Sequence, residues 1–394
     1  MTFSDMYVKY ASDQTDAPKI FHKFLSYFVV SSVVNRNAYI PFGWKKLYPN
    51  LYLLIVAGSS AHRKSWSIGI ATRMINRIHE GFTIPETSSR EAFVSELASE
   101  DRSPRGAGLI EIDELKGFMD RVRKKSYMEG FVQDLSSLYD GKALNRRKGV
   151  DKPERYQVTD PFLNMVAACS NEWFYRSIQS EDISGGFFAR FIWVVYDKKV
   201  VNPSPRPKPE NQHLYGQLIE KLHRIRDFIG EVNFNPEALT FYEEWYRNFY
   251  SVRQGGMWDA NYHRAAIIIQ KMAVLHAVIR AESEVEGLVG SHLAITLPDI
   301  KYVTTLIEDT LLNFSKITIG VNKMDTNNKK VLKYIVERGS ATRTTIMNGV
   351  REMDARTLTE VLSNLEESAV IEARLVGDKN EYVPNETANT YLNR

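Results

Sequence analysis

A chain of 394 residues is long enough for two or three domains, each with its own core. Hydrophobic residues at 43% and charged residues at 25% exclude disordered, collagen-like and coiled-coil chains, and a net charge of +3 argues for nucleic acid only where cations cluster. No run approaches about 18 consecutive apolar residues, no basic-then-apolar leader opens the chain, and the lone Cys169 builds neither a disulfide nor a zinc site, so a cytoplasmic protein without membrane contact is expected.

Residues 1–50 read as an N-terminal helical collar: a polar lead-in, a helix from Lys19 to Asn35, then a short strand and turn over Tyr39–Trp44. Residues 51–201 follow as a core in which the apolar runs Leu51–Ala57, Leu109–Ile112, Phe162–Ala168 and Phe191–Val195 alternate with helical stretches. That alternation predicts an α/β fold, a parallel sheet covered by helices. Pro203, Pro205, Pro207 and Pro209 then remove backbone donors and stiffen the chain, which marks a boundary. Residues 210–322 carry apolar spacing for four helices, Leu214–Ile229, Pro236–Val252, Tyr262–Glu282 and Pro298–Phe314, and read as an all-helical lid domain. In 326–394, three short helical patterns and a hairpin around Gly377-Asp378 predict a winged helix-turn-helix.

The segment from Gly58 to Ser65, Gly-Ser-Ser-Ala-His-Arg-Lys-Ser, reproduces the phosphate loop G-x-x-x-x-G-K-[ST] with Arg63 in place of the second glycine. In such a loop the backbone at Gly58, Ser60 and Arg63 wraps phosphates, Lys64 neutralises their charge, and Ser65 ligates magnesium at a helix N-terminus. Arg63 fits if its backbone keeps a negative φ and its side chain points away. An ordinary strand-to-helix turn is the alternative. Downstream, Gly108–Ile112 is an apolar strand ending in Asp113-Glu114, the Walker B pattern, where Asp113 would hold magnesium and Glu114 would act on the attacking water. A third strand runs into Cys169-Ser170-Asn171, and Asn171 is expected either at the γ-phosphate or as a helix cap. Arg190, between Gly186 and an apolar strand, is a candidate arginine finger supplied across a subunit interface, or else a salt bridge.

These segments resemble a family of P-loop ATPases found with primase-polymerase domains, or alone, in phages, plasmids and mobile elements. The likeness runs from about Ile40 to Val195 and rests on Ile40-Pro41-Phe42-Gly43-Trp44, Tyr48-Pro49-Asn50-Leu51-Tyr52, Arg63-Lys64-Ser65, Tyr139-Asp140-Gly141 and Gly186–Phe191. The Ala189-Arg190-Phe191 step is also similar to the arginine finger of minichromosome-maintenance helicases, AAA+ motors that act as hexameric rings with a C-terminal winged helix. The resemblance implies an AAA+/RecA-like core, ATP and Mg2+ as ligands, a hexamer, and a primase or polymerase as a further partner. It implies a sensor 2 role beside the nucleotide for Arg264, in Tyr262-His263-Arg264, with a basic helix surface as the alternative. The likeness departs from the family's pattern in that no primase or zinc-binding domain is expected within these 394 residues.

Nucleic acid has a candidate contact in the basic turn that holds Lys142, Arg146, Arg147 and Lys148, flanked by Tyr139 and Tyr156. The helix Ala355–Glu367 carries Arg356 but also Glu360, Glu366 and Glu367, which leaves DNA or protein as its contact. The expected function is an ATP-dependent DNA translocase or replicative helicase of a mobile element, acting as a ring. The alternatives are a replication initiator or helicase loader that uses ATP as an assembly switch, and a DNA-binding regulator whose loop has decayed at Arg63.

Overall fold

The computed structural model describes residues 1–58, 62–86, 89–124, 128, 130–147, 155–171, 173–174, 186–196, 198, 208–251, 259–284, 293–318, 323–350, 353–367, 370–377, 379–386, 388 and 392. They divide into two compact units, Met1–Phe314 and Ser315–Arg394.

In the first unit the chain opens with α1 (Phe3–Gln14) and α2 (Lys19–Val34), then β1 (Ala38–Phe42), β2 (Lys45–Leu47) and β3 (Tyr52–Ala57). The polar lead-in is therefore a helix, started by a reciprocal capping box between Thr2 and Asp5. Next come α3 (Lys64–Ile78), β4 (Thr83–Ile84), α4 (Arg90–Ala98), β5 (Ala107–Ile112), α5 (Leu115–Lys124), α6 (Phe131–Tyr139), β6 (Leu144–Arg147), β7 (Arg155–Val158), β8 (Phe162–Cys169) and β9 (Phe191–Tyr196). The unit closes with α7 (Gln212–Asp227), β10 (Gly230–Phe234), α8 (Pro236–Ser251), α9 (Asp259–Glu284), β11 (Leu293–Ile295) and α10 (Leu297–Thr318).

The core is a five-stranded parallel sheet in the order β4-β5-β8-β3-β9. Every residue of β3 and β8 is buried, as expected of strands covered on both faces. One polar side chain is built into β8: Asn164 accepts from the Leu51 amide (2.7 Å) and donates to Ser31 and Ser32 of α2 (3.0 and 2.8 Å). Full satisfaction lets that amide sit in the core and fix α2 on the sheet.

A second sheet, β11-β10-β1-β2, corrects the all-helical expectation for 210–322. Residues Gly230–Phe234 and Leu293–Ile295 pair in parallel, and β10 pairs with β1 from the N-terminal segment.

The second unit holds α11 (Lys323–Arg338), β12 (Ala341–Thr342), α12 (Arg343–Gly349), α13 (Ala355–Glu367), β13 (Ile371–Val376) and β14 (Lys379–Pro384), with a sheet in the order β12-β14-β13. Val331, Leu332, Ile335, Ile346, Val361 and Leu365 make its core.

Candidate functional site

Parallel strands send all their C-terminal ends to one edge of a sheet, and ligands of open α/β folds bind there. At that edge β3 delivers Gly58 and the turn into α3, β5 delivers Asp113 and Glu114, and β8 delivers Cys169, Ser170 and Asn171. Strand order explains the convergence: β8 lies between the loop strand and the acid strand, so Asn171 stands between Lys64 and the two carboxylates.

The Lys64 ammonium sits on the Ala57 and Gly58 carbonyls (3.0 and 2.9 Å). Partial burial pushes its pKa down, while Cys169 and Asp113 pull it back up. Burial also pushes the Cys169 thiol up to about 12, which keeps it a neutral wall of the site. Ser65, Asp113 and Glu114 are exposed. Ser170, not Asn171, caps the following turn by accepting from the Trp173 amide (3.2 Å), which removes the cap alternative for Asn171. The Asn171 Oδ1 is buried and has no hydrogen-bond partner among the described residues. A buried amide oxygen that accepts no hydrogen bond costs roughly 1–3 kcal/mol.

Arg63 departs from expectation, because its backbone is left-handed (φ 47°, ψ 38°) and not at negative φ. Glycine takes that conformation freely, whereas an L-residue is strained by roughly 1–2 kcal/mol. Its side chain does turn away, donating from Nε to Asp16 in the segment between α1 and α2 (3.3 Å). His62 was invisible as a functional position in the sequence. Its ring is buried, with Nε2 2.9 Å from the Lys198 carbonyl and Nδ1 3.3 Å from that of Gly58, so it ties the loop to the end of β9. Ser60 lies outside the described residues.

Two expected site residues lie at the opposite edge. Arg190 precedes β9, whose Phe191 pairs with Tyr52 and whose Tyr196 pairs with Ala57. Five residues of strand, about 17 Å, thus separate it from the loop of its own chain. Arg190 is buried and bonded to Asp140 (2.7 Å) and the Gly186 carbonyl (2.5 Å). Arg264 of α9, expected beside the nucleotide, instead donates to the other oxygen of Asp140 (2.7 Å). Asp140 is held in place by the end of α6: Gly141 is left-handed (φ 70°), its amide donates to Leu138, and that of Lys142 donates to Ser137. Burial raises the Asp140 pKa, but hydrogen bonds and charge from the two guanidinium groups outweigh it and hold the carboxyl below its usual range. Beside this triad Lys271 is fully buried, bonded to Asn50 Oδ1 (2.8 Å) and packed on the Tyr139 ring (3.7 Å). Burial pushes its pKa well below the usual lysine range.

The basic turn is a β6–β7 hairpin, with Arg146 opposite Tyr156 and Arg147 opposite Arg155. Lys142 is exposed before it, the side chains of Arg146 and Arg147 are not among those described, and Lys148 lies outside the described residues.

The sequence matches no family profile and no curated protein. Among solved structures it is similar to Cdc6p from Pyrobaculum aerophilum at 11% identity and a TM-score of 0.22, covering 87% of this chain and 86% of that one. It is similar to a RuvB mutant from Thermotoga maritima at 15% identity and a TM-score of 0.21, covering 87% of both chains. Likeness at that level carries nothing about activity. The core itself is an α/β fold whose parallel sheet sets β3, the strand that runs into Gly58, between β9 and β8, with β5, the strand that ends in Asp113-Glu114, beyond β8. Among the described residues no helix is long and apolar enough to cross a membrane.

Proposed function

We propose that the chain is an ATP hydrolase that drives movement along DNA, a replicative helicase or translocase of a mobile element working as a ring, with six copies as the expected number. The observation that carries the reading is the meeting of Lys64, Asp113, Glu114 and Asn171, whose side-chain oxygen has no partner among the described residues, at the C-terminal ends of three adjacent strands. Lys64 and the N-terminus of α3 supply positive charge for a triphosphate, and the exposed Glu114 is free to accept a proton from water. Magnesium usually takes one or two protein oxygens plus phosphate and water, so Asp113 and Ser65 fit as its holders. Bound there, the ion would neutralise charge on the phosphates. Arg190 serves a neighbour's site, because it stands at the wrong edge to reach its own. Lys142 and the hairpin of Arg146, Arg147 and Lys148 meet DNA phosphates, and the second unit is a winged helix that contacts DNA or a protein such as a primase or polymerase.

The Asp140 triad favours a second reading, an initiator or helicase loader that uses ATP as an assembly switch. One carboxylate holds both arginines within a single chain, so exchanging that contact for a neighbour's nucleotide would couple binding to assembly. Turnover with and without DNA, run beside strand displacement on tailed duplexes of each polarity, separates the readings. DNA-stimulated turnover with unwinding supports the motor, nucleotide-dependent assembly without unwinding supports the loader, and DNA binding indifferent to ATP overturns both.

A further inference from the structure

Strands β1 and β2 form a hairpin whose two-residue turn, Gly43-Trp44, uses glycine at positive φ in its first position. The tip is built against the usual logic of burial. Trp44 is 89% exposed and Phe42 46% exposed, although the sheet behind them has a well-filled core. Lys45 stands over the Trp44 ring at 4.4 Å, and Lys46 over the Tyr39 ring at 4.2 Å. Each ammonium thus lies against an aromatic face, a contact worth roughly 0.5–1 kcal/mol at an exposed site.

The hairpin forms one wall of a solvent-open cleft of about 700 Å³ whose other walls include Tyr48, Arg264 and Lys271. Its one acid among the described lining residues, Asp140, is already matched by two arginines. The cleft is therefore cationic, and it reaches Gly141, the residue before Lys142. Because β2 is the edge strand of its sheet, nothing in the sheet covers the outer side of the hairpin.

We propose that this hairpin is a stacking platform for single-stranded nucleic acid, with a base on Trp44, a second aromatic contact at Phe42, and backbone phosphates on Lys45 and Lys46. Charge complementarity and ring chemistry select that occupant. A hairpin that sets aromatic faces beside ammonium groups matches a polymer that sets flat bases beside phosphates. Stacking tolerates any base, so binding is insensitive to sequence, and phosphate neutralisation makes it fall with salt. The inference deepens the DNA reading proposed above by giving it a surface, and it is independent of ATP turnover.

The test is fluorescence anisotropy of a labelled oligothymidylate with the full chain, without nucleotide, across a range of salt. Trp44→Ala should weaken binding between about 5-fold and 100-fold with the salt slope unchanged, and Trp44→Phe should restore most of it. Because the indole is almost wholly in water, neither change disturbs the core. The Lys45→Ala, Lys46→Ala double variant should instead make the slope of log K against log salt shallower by about 1.4, as expected for two fewer phosphate contacts on a single strand. Wild-type affinity in Trp44→Ala together with loss on Lys142→Ala would overturn the platform and leave the DNA reading standing. No oligothymidylate binding by the wild-type chain would overturn both. Trp44-dependent capture by phosphatidylserine vesicles, with oligonucleotide binding unmoved, would assign the hairpin to a lipid surface and overturn the proposal.

Discussion

Replacing Asp140 by Asn removes one negative charge from between two cations while preserving size and shape. The side chains of Arg190, Asp140 and Arg264 are 10%, 19% and 30% exposed, so the triad is half-sheltered, with Arg190 the most enclosed. Breaking a buried pair by removing one partner costs roughly 3–5 kcal/mol, and the solvent around Arg264 trims that figure. Arg190 also keeps its bond to Gly186. A loss of about 3 kcal/mol is expected, which for a unit of this size is a fall in Tm of about 5 °C. The pH dependence supplies an independent check. Since Asp140 has a folded pKa below its unfolded value, its stabilisation is complete above the ordinary carboxylate range and is lost as pH falls through the depressed value. Urea unfolding followed by far-ultraviolet dichroism at several pH values should show a weaker Asn variant lacking that part of the acid sensitivity. Adding Arg264→Gln should recover some stability, because one unmatched cation is gone. A loss under about 1 kcal/mol, or an unchanged acid response, would refute the reasoning.

Lys64→Ala should abolish ATP turnover while dichroism stays unchanged, and normal turnover would remove the loop from the chemistry. With Glu114→Gln, equilibrium dialysis should still find bound ATP, but hydrolysis should slow by roughly 10²–10⁴-fold. Relief of the left-handed backbone by Arg63→Gly should raise stability by up to about 1 kcal/mol in urea titrations, net of the freedom glycine adds to the unfolded chain. His22 is fully buried, both ring nitrogens lack a hydrogen-bond partner among the described residues, and burial lowers its pKa to about 4. The unfolded chain therefore binds the proton more tightly, so stability should fall by about 3 kcal/mol as pH drops from about 6.5 to 4, and His22→Leu should flatten that fall.

The core strands were legible because each is an unbroken apolar run bounded by glycine or acid, and burial on both faces demands such runs. The Gly58–Ser65 segment and the Asp113-Glu114 pair, proposed above to hold the nucleotide, could be picked out as candidates because each is a run of contiguous residues. β10 and β11 were not, since Gly230–Phe234 and Leu293–Ile295 are short and become strands by pairing with each other and with Ala38–Tyr39, far away in the sequence. Helix α1 is too polar to stand out by periodicity, and its clearest sign is the Thr2–Asp5 cap. The destination of Arg190 and Arg264 was equally hidden. Asp140 lies 50 residues from one and 124 from the other, and only the folded sheet brings the three together.

The sheet shared by β1, β2, β10 and β11 bears on how the protein can be cut. A fragment starting at Leu51, the boundary that the sequence pattern invites, would discard two strands and leave the β1-facing side of β10 as an open edge. It would also discard α2, whose Phe21, Phe24, Tyr27 and Phe28 are all buried in the main core. Open edges and bare aromatic surface are what self-associating polypeptides present. Such a fragment should therefore come out of the cell insoluble, whereas one ending near Phe314 keeps every partner of this sheet and has a natural place to stop.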